Sequence, residues 1–167
     1  SAFITVLLRS LSGRLEKQFA ELDLHSTGDI LSWMNNELLL CDLEHHVTMF
    51  LGMIDNATEK LEYSNAGHFP AAILSAEDET KYLEIGGRPL GLFEEVTYET
   101  RTLDLPNVYT MIMFSDGVFE IMPQETLKDK EEHLLSLVKC GNKSVEALAD
   151  SLNVLQPKQD DVAILTV

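Results

Sequence analysis

Ser115-Asp116-Gly117 closes a nearly unbroken apolar run from Val108 to Phe114, and a second acidic pair, Asp160-Asp161, opens a similar run up to Val167. If the two runs are strands that pair antiparallel, the end of the first and the start of the second share one sheet edge, which would bring Asp116 and Asp160 toward one point. Carboxylates are the hard oxygen ligands that Mg²⁺ and Mn²⁺ prefer, and Gly117 removes a side chain where backbone or water must approach an ion. Taken alone, each acidic pair is also readable as a solvated turn, because Asp-Gly is common turn chemistry.

Two further residues carry chemistry. His68 ends the segment Tyr63-Ser64-Asn65-Ala66-Gly67-His68, where a neutral imidazole could orient a phosphate or shuttle a proton near pH 7. Asn65 and Gly67 already account for a tight turn there, and a turn-packing histidine is the plainer reading. Arg88 is the one cation in Gly86-Gly87-Arg88-Pro89-Leu90-Gly91; its guanidinium could clamp a phosphate, although an arginine packed against a turn explains it more simply. The adjacent pair His45-His46 sends its side chains apart and reads as surface, and His25 and His133 have no supporting context. Met111, Met113 and Met122, with Phe114 and Phe119, read as core or interface filling.

The elements that must position these groups follow from hydrophobic periodicity. Phe3, Leu7, Leu11, Leu15, Phe19 and Leu22 predict an amphipathic helix over residues 1–22, and Ile30, Met34 and Leu38 a second over 29–40 with Asp29 as its cap. Strands are predicted over 47–54 and 61–66 as a hairpin with a deeply buried first strand, then over 71–74, 81–85, 96–103 and 108–114. Helices return over 126–138 and 145–155, the latter capped by Ser144 and stopped before Pro157, and a last strand runs over 161–167. Helices, a block of strands, then helices and one strand spell α+β with antiparallel sheets.

A net charge of -16 with 45% hydrophobic residues in 167 describes one globular domain and argues against nucleic acid or an anionic membrane surface as the main partner. The acidity suits cations or basic partners, and serves solubility equally well. Cys41 and Cys140 lack any metal-ligand spacing and read as reduced residues of a cytoplasmic protein. No apolar stretch reaches the roughly 18 residues of a spanning helix, and Arg9 and Arg14 interrupt the first apolar segment, so no signal peptide is predicted.

In chain order, Tyr63–His68, Gly86–Gly91, Phe114-Ser115-Asp116-Gly117-Val118-Phe119-Glu120 and Gln159-Asp160-Asp161-Val162 form a series. That series resembles the metal-dependent Ser/Thr phosphatases of the protein phosphatase 2C (PPM) superfamily, and within it the SpoIIE-like bacterial branch. The chain is similar to the carboxy-terminal output domain of a response regulator of the RssB type, and the resemblance runs from Ser1 to Val167.

The resemblance implies an αββα sandwich of two antiparallel sheets flanked by helices. It also implies a site of two Mn²⁺ or Mg²⁺ ions that activate a water for attack on a phosphoserine or phosphothreonine. By motif, Asp116 with Gly117 and Asp160 match the metal positions, Asp161 is a secondary ligand, His68 is a candidate catalytic residue and Arg88 a candidate for phosphate binding. The implied partners are a phosphorylated protein such as an anti-sigma-factor antagonist and an upstream receiver domain, with a homodimer left open. The superfamily's Gly-Asp-x-x-Asp and Asp-x-Ser-Gly-His-Gly motifs are absent from this chain. The expectation is therefore a domain whose amino-terminal strands are missing, with an incomplete two-metal site and weak or no activity by itself. The alternative is a non-catalytic binding module that holds a sigma factor or its regulator. Two carboxylates kept at two strand mouths favour the enzyme, since a scaffold has no physical need of them.

Overall fold

A computed structural model describes residues 2–18, 21–41, 45–77, 79–141, 143–152 and 162–167. In chain order the elements are α1 (Ala2–Gln18), α2 (Thr27–Leu40), β1 (Met49–Asp55), β2 (Lys60–Ala66), β3 (Ile73–Ala76), β4 (Thr80–Tyr82), β5 (Arg101–Asp104), β6 (Tyr109–Phe114), α3 (Gly117–Glu120), α4 (Leu127–Cys140), α5 (Val145–Ser151) and β7 (Ile164–Thr166). They form two compact units, residues 1–68 with 86–104 and residues 69–85 with 105–167. Each unit holds one antiparallel sheet and its own apolar cluster, so the class is α+β as the sequence pattern predicts.

The first unit has the sheet order β1-β2-β5. Its middle strand, β2, supplies the buried residues Leu61, Tyr63, Ser64, Asn65 and Ala66, and α2 packs on it with Ile30, Leu31, Met34 and Leu38. The expected deep burial of the first strand does not hold: β1 contains no fully buried residue. Met49, Phe50, Leu51 and Ile54 are half-buried and Met53 is exposed on this edge strand, where Phe50 stacks on Tyr63 with ring centroids 5.8 Å apart. The predicted strand over 96–103 shortens to Arg101–Asp104. Past the Tyr63–Arg101 pair, the N-terminus of α2 takes over: Gly28 N–H donates to Thr100 Oγ1 (3.0 Å), and Thr27 and Ser64 share a hydroxyl hydrogen bond (2.8 Å).

Ser26, not Asp29, caps α2. The Ser26 hydroxyl accepts the Asp29 N–H (3.1 Å) while the Asp29 carboxylate accepts the His25 N–H (3.1 Å), a reciprocal cap that displaces the helix start by two residues. The Ser26 hydroxyl, and after it the His25 N–H, hold the Asp29 carboxyl below its ordinary value. A depressed carboxylate pKa contributes stability above the unfolded-state value, and that contribution is lost as pH falls through the folded-state value.

In the second unit the sheet order is β4-β3-β6-β7, with α4 against β3 and β4 and α5 against β7. Ile73, Ile112, Phe114, Val118, Leu134 and Val138 are fully buried in its core. β3 extends two residues beyond its predicted end because the polar Ser75 is buried, sharing a hydrogen bond with Thr80 Oγ1 (2.7 Å) inside the β3–β4 hairpin. Thr126 and Ser144 cap α4 and α5, each accepting the backbone N–H three residues on. The predicted continuation of α5 to residue 155 falls on residues 153–155, outside the described ones.

One polar side chain inside α2 ties a long loop to the first unit. Asn35 is fully buried; its amide nitrogen donates to Phe93 O (2.9 Å) and its Oδ1 accepts the Gly91 N–H (2.8 Å). Asn35→Leu leaves both backbone groups without that partner and is expected to cost about 2–4 kcal/mol, read from chemical denaturation. The exposed neighbour supplies a control: Asn36→Ala is expected to stay within about 0.5 kcal/mol of wild type. Equal effects at the two positions would remove the assigned role of Asn35.

Candidate active site

β6 is anchored in the second unit's core by Ile112 and Phe114, and its antiparallel pairing with β7 sets the C-terminal end of β6, where Asp116 follows, beside the N-terminal end of β7. The register is Ile112↔Thr166, Met113↔Leu165 and Phe114↔Ile164. Beyond it the Ser115 N–H donates to Ala163 O (3.0 Å) and the Ala163 N–H donates to Ser115 Oγ (2.8 Å). The antiparallel pairing required for convergence is therefore present. Asp160 and Asp161, which precede Val162, lie outside the described residues.

Asp116 does not sit in a simple turn. Val118 N–H bonds to Ser115 O (3.1 Å) and Phe119 N–H to Asp116 O (3.0 Å), so the chain passes from strand directly into the single-turn helix α3. The Asp116 side chain accepts the Gly117 N–H (3.1 Å) and is exposed, whereas Gly117, Val118 and Phe119 behind it are buried. Phe119 packs on Phe69 with centroids 5.3 Å apart, and Lys130 Nζ donates to Phe119 O (2.6 Å), anchoring the C-terminal end of α3. A water-facing carboxylate is thus mounted on an apolar plug. Its donor chemistry suits a hard divalent cation. No group of three or more His, Cys, Asp or Glu side chains that could hold an ion occurs among the described residues.

His68 and Arg88 belong to the first unit, where the structure packs their two loops together. Asn65 forms the turn after β2: its Oδ1 accepts the His68 N–H (2.9 Å) and its amide donates to His68 O (3.1 Å), with Gly67 at φ +73. The His68 side chain is half-buried. Gly87 lies so close to this turn that a Cβ on it would stand 1.7 Å from Asn65 O, and a Cβ on Gly67 would meet Pro89 at 3.0 Å. The two glycine-bearing segments are one packed structure. Arg88, at its surface, places its guanidinium 4.8 Å from the centre of the Phe93 ring. His45 and His46 are exposed, as their spacing suggested.

Asn35, which fixes the loop carrying Arg88, escaped the sequence reading. The signal was available: Asn35 shares the Leu31 and Leu38 face of α2, and a lone amide on an apolar helix face points to a buried hydrogen-bond pair.

The family profile of Stage II sporulation protein E (SpoIIE) matches residues 1–167. The chain belongs to the SpoIIE family. It is 29% identical over 136 residues to the phosphoserine phosphatase RsbU of Bacillus subtilis (strain 168), covering 75% of this chain and 40% of RsbU. To the phosphoserine phosphatase RsbP of the same organism it is 29% identical over 129 residues, covering 72% of this chain and 30% of RsbP. The chain thus spans less than half the length of these curated relatives. Its fold is similar to the PP2C phosphatase domain of Bacillus subtilis SpoIIE solved with a fragment of its regulatory domain. There the TM-score is 0.73 and the identity 18%, over 94% of this chain and 48% of that one. It is also similar to the RsbU and RsbW domains of a Mycobacterium tuberculosis protein, with a TM-score of 0.72 and 22% identity over 97% of this chain and 47% of that one. The PP2C-type α+β fold is the one that the motif series implied.

The contact of Gly87 with Asn65 O makes a sharp test of this SpoIIE-family domain. Gly87→Ala is expected to destabilise by about 3 kcal/mol or more, since backbone rather than a flexible side-chain tip must move. At Gly86 a Cβ would meet nothing within 4 Å, so Gly86→Ala is expected to change the denaturation midpoint little. Similar midpoints for the two variants would mean that the loops are not in the contact described.

Proposed function

We propose that this domain is a metal-dependent phosphoserine/phosphothreonine protein phosphatase of bacterial signalling, with Mn²⁺ or Mg²⁺ as cofactor. Asp116 at the end of β6 and Asp160 ahead of β7 hold the metal, with Asp161 secondary. The observation that carries this reading is the β6–β7 ladder, which ends at Ser115 and Ala163 with an exposed carboxylate mounted on buried residues. Supporting it are membership of the SpoIIE family and similarity to two phosphoserine phosphatases. A SpoIIE phosphatase domain has been solved after soaking in Mn, and RsbX in complex with magnesium, at 19% and 20% identity to this chain. Bound divalent ions would supply an activated water and neutralise phosphate oxygens.

The chain's own residues bind and orient. Asp116 offers its carboxylate to the cation from a backbone anchored by the buried Val118 and Phe119. Arg88 rests its guanidinium 4.8 Å from the centre of the Phe93 ring at the surface, where its N–H groups serve to bind a phosphate. His68, fixed by its backbone bonds to Asn65, orients a phosphate oxygen or holds a proton. The substrate in this proposal is a phosphorylated anti-sigma-factor antagonist in the cytoplasm, and a receiver domain supplies the upstream control; the names of RsbU and RsbP support the phosphoserine chemistry.

The test is phosphate release from a phosphorylated antagonist protein by the full-length protein that carries this domain. Release is expected only with Mn²⁺ or Mg²⁺ present, and Asp116→Asn and Asp160→Asn are each expected to lower it by about 100-fold or more, because a lost ligand weakens both cation binding and water activation. His68→Ala is expected to do less. Equal inactivity of wild type and both variants, with the antagonist or a sigma factor still bound normally, would replace the phosphatase by the binding module.

A further inference from the structure

The Met111↔Val167 pair exchanges two backbone hydrogen bonds, each of 2.9 Å, as a hydrogen-bonded pair of an antiparallel ladder does. Such pairs recur every second residue, so Met113↔Leu165 and Ser115↔Ala163 occupy equivalent places in the same register. At the last of these one bond is regular, from Ser115 N–H to Ala163 O at 3.0 Å. The other is not. The Ala163 N–H goes to the Ser115 hydroxyl at 2.8 Å instead of to the Ser115 carbonyl. That carbonyl is turned to the Val118 N–H at 3.1 Å, where it closes the first turn of α3.

From this exchange we infer that Ser115 is a positioning residue for the metal site, its hydroxyl standing in for its own carbonyl in the β6–β7 ladder so that the carbonyl is free to build the turn presenting Asp116. The inference rests on the proposed role of Asp116 as a metal ligand. The Ser115 carbonyl is directed up the chain to the Val118 N–H, and the Ala163 N–H across the sheet is met by the hydroxyl. With alanine at this position, either Ala163 loses its acceptor or α3 loses its first hydrogen bond. The first frays the end of the β6–β7 ladder from which Asp116 projects, and the second loosens Asp116 itself. Threonine keeps the hydroxyl and should keep both.

The experiment uses the full-length protein that carries this domain, with two readouts. Amide hydrogen exchange without metal is measured at Ala163 and Val118, and Mn²⁺ affinity is measured by calorimetry. Ser115→Ala is expected to speed exchange at one or both amides by about tenfold and to weaken Mn²⁺ binding by about 10-fold or more, the usual range for loss of a group that orients a metal ligand. Ser115→Thr should restore both. Ser115→Cys, which keeps the volume but offers a poor acceptor, should follow alanine if the alanine variant does not fold. Wild-type Mn²⁺ affinity in Ser115→Ala alongside weakened binding in Asp116→Asn would overturn the role of Ser115 and leave the metal site standing. Unchanged binding in Asp116→Asn would overturn the metal assignment, and this inference with it.

Discussion

Backbone N–H and C=O groups at the ends of buried strands must find partners, and in this chain short polar side chains supply them. Asn65 closes the turn after β2 by bonding both backbone groups of His68, Asn35 holds Gly91 and Phe93 from the middle of α2, and Ser115 carries the β6–β7 ladder one pair further. Each unmade bond of this kind costs about 1–3 kcal/mol, against a total stability of about 5–15 kcal/mol for a domain. The loops that carry His68, Arg88 and Asp116 are therefore held by bonds too costly to lose.

Packing supplies the second constraint. The first unit's loop from Gly86 to Gly91 can lie on the turn after β2 only because Gly87 has no Cβ at its contact with Asn65 O. In the second unit, Val118 and Phe119 reach down into the core from the helix whose first residue follows Asp116. Both arrangements put the chemically useful group outside and its support inside. A net charge of -16 alone would not do this, because excess acid serves solubility equally well.

Much of this was legible in the sequence, for identifiable reasons. Both acidic motifs are bounded by long apolar runs, so the strands β6 and β7 followed from pattern, while their antiparallel pairing entered only as a condition that the structure meets, and the order of four motifs pointed to the family. Side chains that contradict their surroundings were harder. Ser75 and Asn35 are polar yet buried, so hydropathy ended a strand early at the first and passed over the second. The strand predicted over 96–103 failed because backbone pairing past Arg101 is replaced by the start of α2, a long-range contact that local pattern does not encode. α3 was missed for the opposite reason: one helical turn is too short to show a period, and Asp-Gly is the usual signature of a turn.

The register of β6 against β7 links the core to the site. Phe114 faces Ile164 across the ladder, and both pack into the second unit's apolar cluster with Ile112. A slip of one residue in β7 would reverse the facing of every side chain in the strand and turn Ile164 out of that cluster. It would also set Ser115 against a neighbour of Ala163 and take the Ala163 N–H away from the Ser115 hydroxyl. Burial of Phe114 and Ile164 thus excludes the slipped pairing, the correct pairing sets Ser115 opposite Ala163, and the Ser115 hydroxyl converts that pairing into a fixed direction for Asp116. Apolar residues with no chemistry of their own in this way decide where the carboxylate stands.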